Sequence, residues 1–250
     1  MRKAFHPDRD ERITVVQHID EFGNDPLEEN EKTRCPVCKR RLNIVAPSTT
    51  GTTGHFAHQK KSGYCPTKAN AAAPYCGLPP RNPDPAAAIR IKTSFLEKWQ
   101  KHFSMLDWLV KGLAIEEFIK VITTANRERI WEYAKLEPFQ LPYVFATLLD
   151  FPPSRSFKGK DGNPVRKKWF RCWFDATVQC YDDLWIQRDT PLLFWRAWYD
   201  LPAGKKKPSS EDLLDSYGME PSADFLEYHK SLHSYVEKKI SDWLNRNLKM

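Results

Sequence analysis

No run of 18 or more apolar residues occurs in the 250-residue sequence, so no helix is expected to span a membrane. The first twenty residues, MRKAFHPDRDERITVVQHID, have no apolar core, and no secretory signal is expected there. The ten glycines form no phosphate-binding loop, and no Ser/His/Asp or Cys/His pairing suggests a nucleophile. Acidic residues are outnumbered, 32 Asp and Glu against 39 Lys and Arg, for a net charge of +7. That excess suggests a polyanionic partner, nucleic acid being the usual one, and protein partners are a further expectation. Cysteine is sparse, with six in the chain. In the cytoplasmic bacterial, phage or plasmid setting expected here, six thiols fit metal ligands plus small core residues better than a disulfide frame. Aromatic residues, by contrast, are abundant, with nine Trp. Aromatics either bury much area or stack on flat ligands.

The richest stretch is residues 33–66, TRCPVCKRRLNIVAPSTTGTTGHFAHQKKSGYCP. Cys35 and Cys38 form a C-x2-C pair whose Pro-Val turn points both sulfurs inward, and His55, His58 and Cys65 follow. A structural zinc ion takes four such ligands in a tetrahedron. The expected set is Cys35, Cys38, His58 and Cys65. His55 competes for the third place, because residues three apart on an extended strand point to opposite faces. Cys76, further on, is a spare candidate. Free or disulfide-bonded thiols would explain the cysteines and leave both histidines idle. Lys39, Arg40, Arg41, Lys60 and Lys61 surround the site, either to grip phosphate or as a solvated rim.

CPVC followed by GHFAH and then a cysteine resembles the N-terminal zinc-binding segment of the competence-protein CoiA-like family, over about residues 10–66. That likeness implies a zinc ribbon led by a strand at ITVVQHID, and a place in a mobile-element, competence or defence assembly. Family members go on to a nuclease-like domain. Nothing beyond residue 90 matches it, so the likeness implies no nuclease activity here.

Residues 66–90 are dense in Pro and Ala and read as an extended linker. A boundary near residue 85 then divides a zinc-ribbon domain (1–85) from an α+β domain (86–250). Phe95, Leu96, Trp99 and Phe103 recur at helical spacing, as do Leu106, Leu109, Leu113, Phe118 and Ile122, with Gly112 as a break or kink. A third helix is expected around Arg127–Leu136. YVFATLLD (143–150) reads as a strand. A basic loop follows, with Arg155, Lys158, Lys160, Arg166, Lys167 and Lys168.

Residues 169–180 alternate strictly. Phe170, Cys172, Phe174, Ala176, Val178 and Cys180 share one face, and Trp169, Arg171 and Trp173 open the other. Such alternation predicts a strand with one face in a core. Its other face, beside the basic loop, has the aromatics and cations that stack bases and track phosphates on an OB-like or RRM-like sheet. If helices cover both faces, the two tryptophans are core instead. Further strands are expected at 183–188 and 192–200, closing an antiparallel meander. A polar connection with one helical turn (204–222) and a long amphipathic helix, Ser222–Leu248, complete the chain. Asp150, Asp175, Asp182 and Asp183 near strand ends are candidates for a divergent magnesium nuclease, but no carboxylate-x-Lys pair follows such a strand. The expectation is therefore a zinc-containing nucleic-acid-binding protein, with a nuclease or a protein–protein adaptor as alternatives.

Overall fold

The computed structural model describes residues 1–23, 32–45, 54–63, 65–68, 75–154, 162, 164–201, 203–228 and 231–248. It is an α+β chain. Strand β1 (Lys3–Phe5) pairs antiparallel with β2 (Arg12–Thr14), and helix α1 (Val15–Phe22) follows at once. The continuous strand expected over 13–19 is thus cut at Thr14. Its hydroxyl accepts from Gln17 N (3.3 Å), and the Gln17 side chain accepts from Thr14 N (2.9 Å). This reciprocal cap starts a helix whatever the β-branched content around it. Strands β3 (Leu42–Val45) and β4 (His55–His58) form an antiparallel hairpin. Single-residue bridges Phe5↔Arg34 and Arg34↔Arg41 stitch it to β1, and Met1 and Phe56 exchange backbone hydrogen bonds of 2.7 and 2.8 Å.

Helix α2 (Pro85–Val110) starts at Asp84, whose carboxylate accepts from Ala86 N and Ala87 N (both 2.9 Å), with Pro85 in the first turn. It takes in the first apolar run and, past a kink at Lys98, Leu106 and Leu109 of the second, whose Phe118 and Ile122 fall in the next helix. Gly112 ends it at φ +91°, and a Cβ there would lie 2.4 Å from Val165 Cγ1, so only glycine fits. Helix α3 (Ile115–Arg127) follows, then a 3-10 turn (Ile130–Glu132) where a third helix was expected.

The segment read as a strand at 143–150 is instead helix α4 (Leu141–Thr147), with all seven residues buried. A fully buried apolar run carries no period, so its pattern does not distinguish strand from helix. Strands β5 (Trp169–Phe174), β6 (Phe194–Tyr199) and β7 (Leu213–Met219) form an antiparallel sheet in the order β5-β6-β7. It is an open meander of three strands among the described residues. The alternation beyond Phe174 is spent on a turn, and 183–188, expected as a strand, begins in a 3-10 turn (Tyr181–Trp185) and continues without strand structure. The third strand comes from the expected polar connection, after the helical turn Ser210–Asp212. Helix α5 spans Ser234–Asn247, shorter than expected, while Asp224–Leu226 forms a separate 3-10 turn.

Two apolar clusters cover the two faces of this sheet. One holds Phe95, Phe118, Trp131, Tyr143 and Phe145 of the helical region with Phe170, Cys172, Phe174 and Phe194. Tyr75, inside the expected linker, belongs to it, its hydroxyl accepting from Phe174 N (3.0 Å). The other joins Met1, Ala4, Val15, Leu42 and Phe56 to Trp169, Trp173, Trp195, Tyr199 and Leu213. The amino-terminal unit is therefore packed on the sheet, across the boundary placed near residue 85. No described helix is long and apolar enough to cross a membrane.

Candidate metal centre

The Cys-Pro-Val-Cys turn is a tight reversal. Cys35 N donates to Arg40 O (2.8 Å), Lys39 N donates to Cys35 O (3.0 Å), and Lys39 takes the left-handed conformation at φ +59°. Val37 N points at the Cys35 sulfur (3.4 Å). Leu42, which opens β3 after this turn, lies opposite His58, which ends β4. The hairpin register thus brings His58 to the cysteine turn and carries His55, three residues earlier, to the far end beside Glu211 (Nε2 to Oε2, 3.5 Å). Cys65 then returns to the same point.

The four ligand atoms of Cys35, Cys38, His58 and Cys65 all lie within 4.8 Å of one another. Cys35 Sγ is 3.9 Å from Cys65 Sγ, and Cys38 Sγ is 3.4 Å from His58 Nε2. Metal–ligand bonds of 2.3 Å to sulfur and 2.0–2.1 Å to nitrogen give tetrahedral edges of about 3.8 Å (S–S) and about 3.6 Å (S–N). The set fits a four-coordinate ion. The electrostatics agree with that fit. Burial pushes the Cys35 thiol well up, while hydrogen bonds from Cys35 and Cys65 hold the Cys38 thiol far below the usual range. Three touching sulfurs cannot all ionise alone, but a divalent cation allows all three to be thiolates. Thr67 Oγ1 lies 3.2 Å from Cys65 Sγ, a neighbouring donor that the spacing of ligands did not reveal. Cys35 and Cys65 are sealed in the core, whereas half-buried Cys38 lines a cleft of about 850 Å3 with Lys39, Asp175 and Trp195.

Cys76 is not part of this group. Its sulfur donates to Leu148 O (3.6 Å) on the helical side. The basic rim is brought together in part. The Arg40 guanidinium lies against Gly63, its Nη1 3.0 Å from where a Cβ would stand. That places it on the turn bearing exposed Lys60 and Lys61. Lys39 packs over the Phe5 ring (4.0 Å), and Arg41 donates to Lys32 O (2.8 Å).

The expected stacking face of β5 is closed. Trp169 is 8 % exposed, Arg171 1 % and Trp173 0 %. All of β5 is buried because the amino-terminal unit covers this face and the helices the other. Arg171 holds Asp150 with two hydrogen bonds (2.9 and 2.8 Å) and donates to Lys68 O (3.1 Å). Of the basic loop, Lys158 and Lys160 lie outside the described residues, Lys167 is exposed and Lys168 pairs with Asp200 (2.9 Å).

The four aspartates serve the framework. Asp150 neutralises Arg171. Asp175 accepts from Leu193 N (3.0 Å) and Trp195 Nε1 (2.8 Å). Asp182 accepts from Arg81 N (3.3 Å), and Asp183 from Gln179 N (2.9 Å) and Cys180 N (3.1 Å). Among the described residues, the Cys3His cluster is the one group of His, Cys, Asp and Glu side chains arranged to hold a metal ion. A family model described as "Domain of unknown function (DUF7830)" matches residues 2–72, the stretch containing the whole cluster. No curated protein and no solved structure matches the chain.

Proposed function

We propose that Cys35, Cys38, His58 and Cys65 hold a structural zinc ion and that the protein binds nucleic acid through the basic surface this ion organises. Three thiolates and one imidazole in a closed set are a zinc-type donor group with no open position for a substrate. The ion would fix the cysteine turn and the strand ends on which the amino-terminal unit depends. One observation carries the nucleic-acid part. Arg40 of the first turn lies against Gly63 of the second, beside exposed Lys60 and Lys61. Two basic clusters distant in sequence thus share one metal-braced surface, in a chain of net charge +7. This is a phosphate-tracking arrangement. A cytoplasmic setting and a role in a mobile-element, competence or defence complex accord with it, the latter on the CoiA-like motif alone.

The test combines metal analysis with binding. Protein purified without chelator is expected to carry one zinc per chain. Fluorescence anisotropy with single- and double-stranded DNA and RNA, between 50 and 200 mM salt, is expected to show affinity falling steeply with salt. Lys60→Glu with Lys61→Glu is expected to weaken binding about tenfold or more while leaving the zinc in place. Absence of zinc would overturn the metal reading. Failure to bind any of these nucleic acids at 50 mM salt would overturn the other. Magnesium-dependent cleavage of them would favour a nuclease instead.

A further inference from the structure

On the sheet edge remote from the cysteines, a cleft of about 320 Å3 is lined by Lys111, Val165, Arg166, Lys167, Lys168, Phe170, Trp198 and Leu214. Four of these side chains are cationic and none is acidic. Arg166 belongs to the wall, donating to Pro152 O and Gly112 O (both 2.6 Å) and paired with Glu117, and Lys168 is paired with Asp200. The side chains of Lys111 and Lys167 make no ion pair or hydrogen bond among the described residues, and both residues are exposed. Half-buried Trp198 on β6 supplies flat apolar surface, opposite the buried Phe170 of β5.

A further cation packs on Phe170, one of the residues lining the cleft. Arg196 is only 8 % exposed, and its guanidinium is sandwiched between the rings of Phe170 (5.2 Å) and Trp108 (5.3 Å). It makes no hydrogen bond or ion pair among the described residues, and its Nε is buried without a partner. Its neighbour across the sheet, Cys172, is a thiol that burial pushes up to about 12, so it offers no negative charge at neutral pH. A buried cation without an anion is costly, and contact with two aromatic rings offsets only part of that cost. One of those two rings, Phe170, also lines the cleft.

We infer that this cleft is a binding site for a nucleotide unit of a single strand, its phosphates on Lys111 and Lys167 and its base against Trp198. This rests on the nucleic-acid reading above and gives it a second contact region. The phosphate would meet two unpaired ammonium groups, and the base a flat indole worth about 1–3 kcal/mol in stacking. Duplex DNA, whose bases are already stacked, would gain only the phosphate contacts.

The probe is a fluorescein-labelled 12-nucleotide oligothymidylate, with an abasic 12-mer of the same charge as competitor. Lys111→Asn with Lys167→Gln, both at exposed positions and the first tolerant of the left-handed backbone there (φ +54°), is expected to weaken binding about tenfold. The salt slope should fall by about 1.4, or 0.7 for each lost phosphate contact on a single strand. Trp198→Leu is expected to weaken oligothymidylate binding at least fivefold and leave abasic competition unchanged. Wild-type affinity and slope in the double lysine variant would overturn the inference. If Lys60→Glu with Lys61→Glu still weakens binding in that case, the reading of the metal-braced surface stands without the cleft. No binding by the wild-type protein would overturn both.

Discussion

The amino-terminal unit and the helical unit differ in how much apolar surface each can bury. The amino-terminal residues contribute Met1, Ala4, Val15, Val37, Leu42 and Phe56 to a shared cluster, mostly small or aliphatic side chains. The helical side packs Phe95, Trp99, Phe103, Phe118, Trp131, Tyr133, Tyr143 and Phe145 against one another, with rings such as Phe95, Trp131 and Phe145 in contact at 5.4–5.8 Å. A small unit with so little apolar area falls short of the entropy cost of ordering its chain and needs a staple. The Cys3His cluster is arranged to hold an ion that would serve as that staple, and the sheet supplies the rest of the core through Trp169, Trp173 and Trp195. The two units are thus unlike in origin of stability, yet joined along one face of β5.

The largest expected effect comes from breaking the staple. Structural zinc contributes on the order of 10 kcal/mol to folding of small metal units, so Cys35→Ser, or chelation through the cleft at Cys38, is expected to unfold the amino-terminal unit. Far-ultraviolet circular dichroism should keep most of its helical signal. Tryptophan fluorescence should shift to the red as Trp169, Trp173 and Trp195 lose their cover. Loss of both signals together would show the two units to be one cooperative block.

Next is the joint itself. Asp150→Ala leaves Arg171 buried without its anion and is expected to cost about 3–5 kcal/mol, read as a lower urea midpoint. The double change Asp150→Leu with Arg171→Met should recover most of that loss, because it removes both charges.

A smaller effect belongs to the helical unit alone. His102 is fully buried between Phe95 (5.3 Å) and Phe225 (5.6 Å), with neither ring nitrogen hydrogen-bonded. Burial, with a minor contribution from Lys98, lowers its pKa from 6.5 to about 3. The unfolded chain takes up the proton first, so stability is constant above the ordinary value and falls as pH drops from 6.5 towards 3. At pH 5 the loss is about 2 kcal/mol. Urea midpoints at pH 7 and 5 should converge by that amount in His102→Phe. An unchanged pH dependence would remove His102 as its source.

The smallest effect tests the entry to α1. Thr14→Ala removes the cap and is expected to cost about 1 kcal/mol, confined to the amino-terminal unit. Zinc affinity should fall slightly while the thermal midpoint of the helical signal stays put.

The cluster was legible because ligand chemistry is local. C-x2-C and H-F-x-H spacings announce sulfurs and an imidazole, and the period of two on β4 separates His58 from His55. The helical packing was legible from apolar spacing, and Gly112 as its break. Three segments were not. Leu141–Thr147 is apolar throughout, so its pattern carried no period. Thr14 and Gln17 form a capping box that was readable in TVVQ but outweighed by β-branched neighbours. The third strand hid in SSEDLLDSYGM, whose short side chains and acids resemble a loop until β6 pairs with it.

From the chain alone came the four Cys and His side chains that cluster, the excess of positive charge, the helical stripes and the strand that alternates from Trp169 to Phe174. Those properties depend on residue type and on spacing along one element, and neighbours in sequence suffice to express them. Whether the Trp169, Arg171 and Trp173 face meets solvent or protein was decided only when the amino-terminal unit folded onto it. The same holds for the pairing of Asp150 with Arg171 and for the isolation of Arg196 between two rings. Alternation records that a strand has two faces, and only the partners brought by the rest of the fold determine what each face touches.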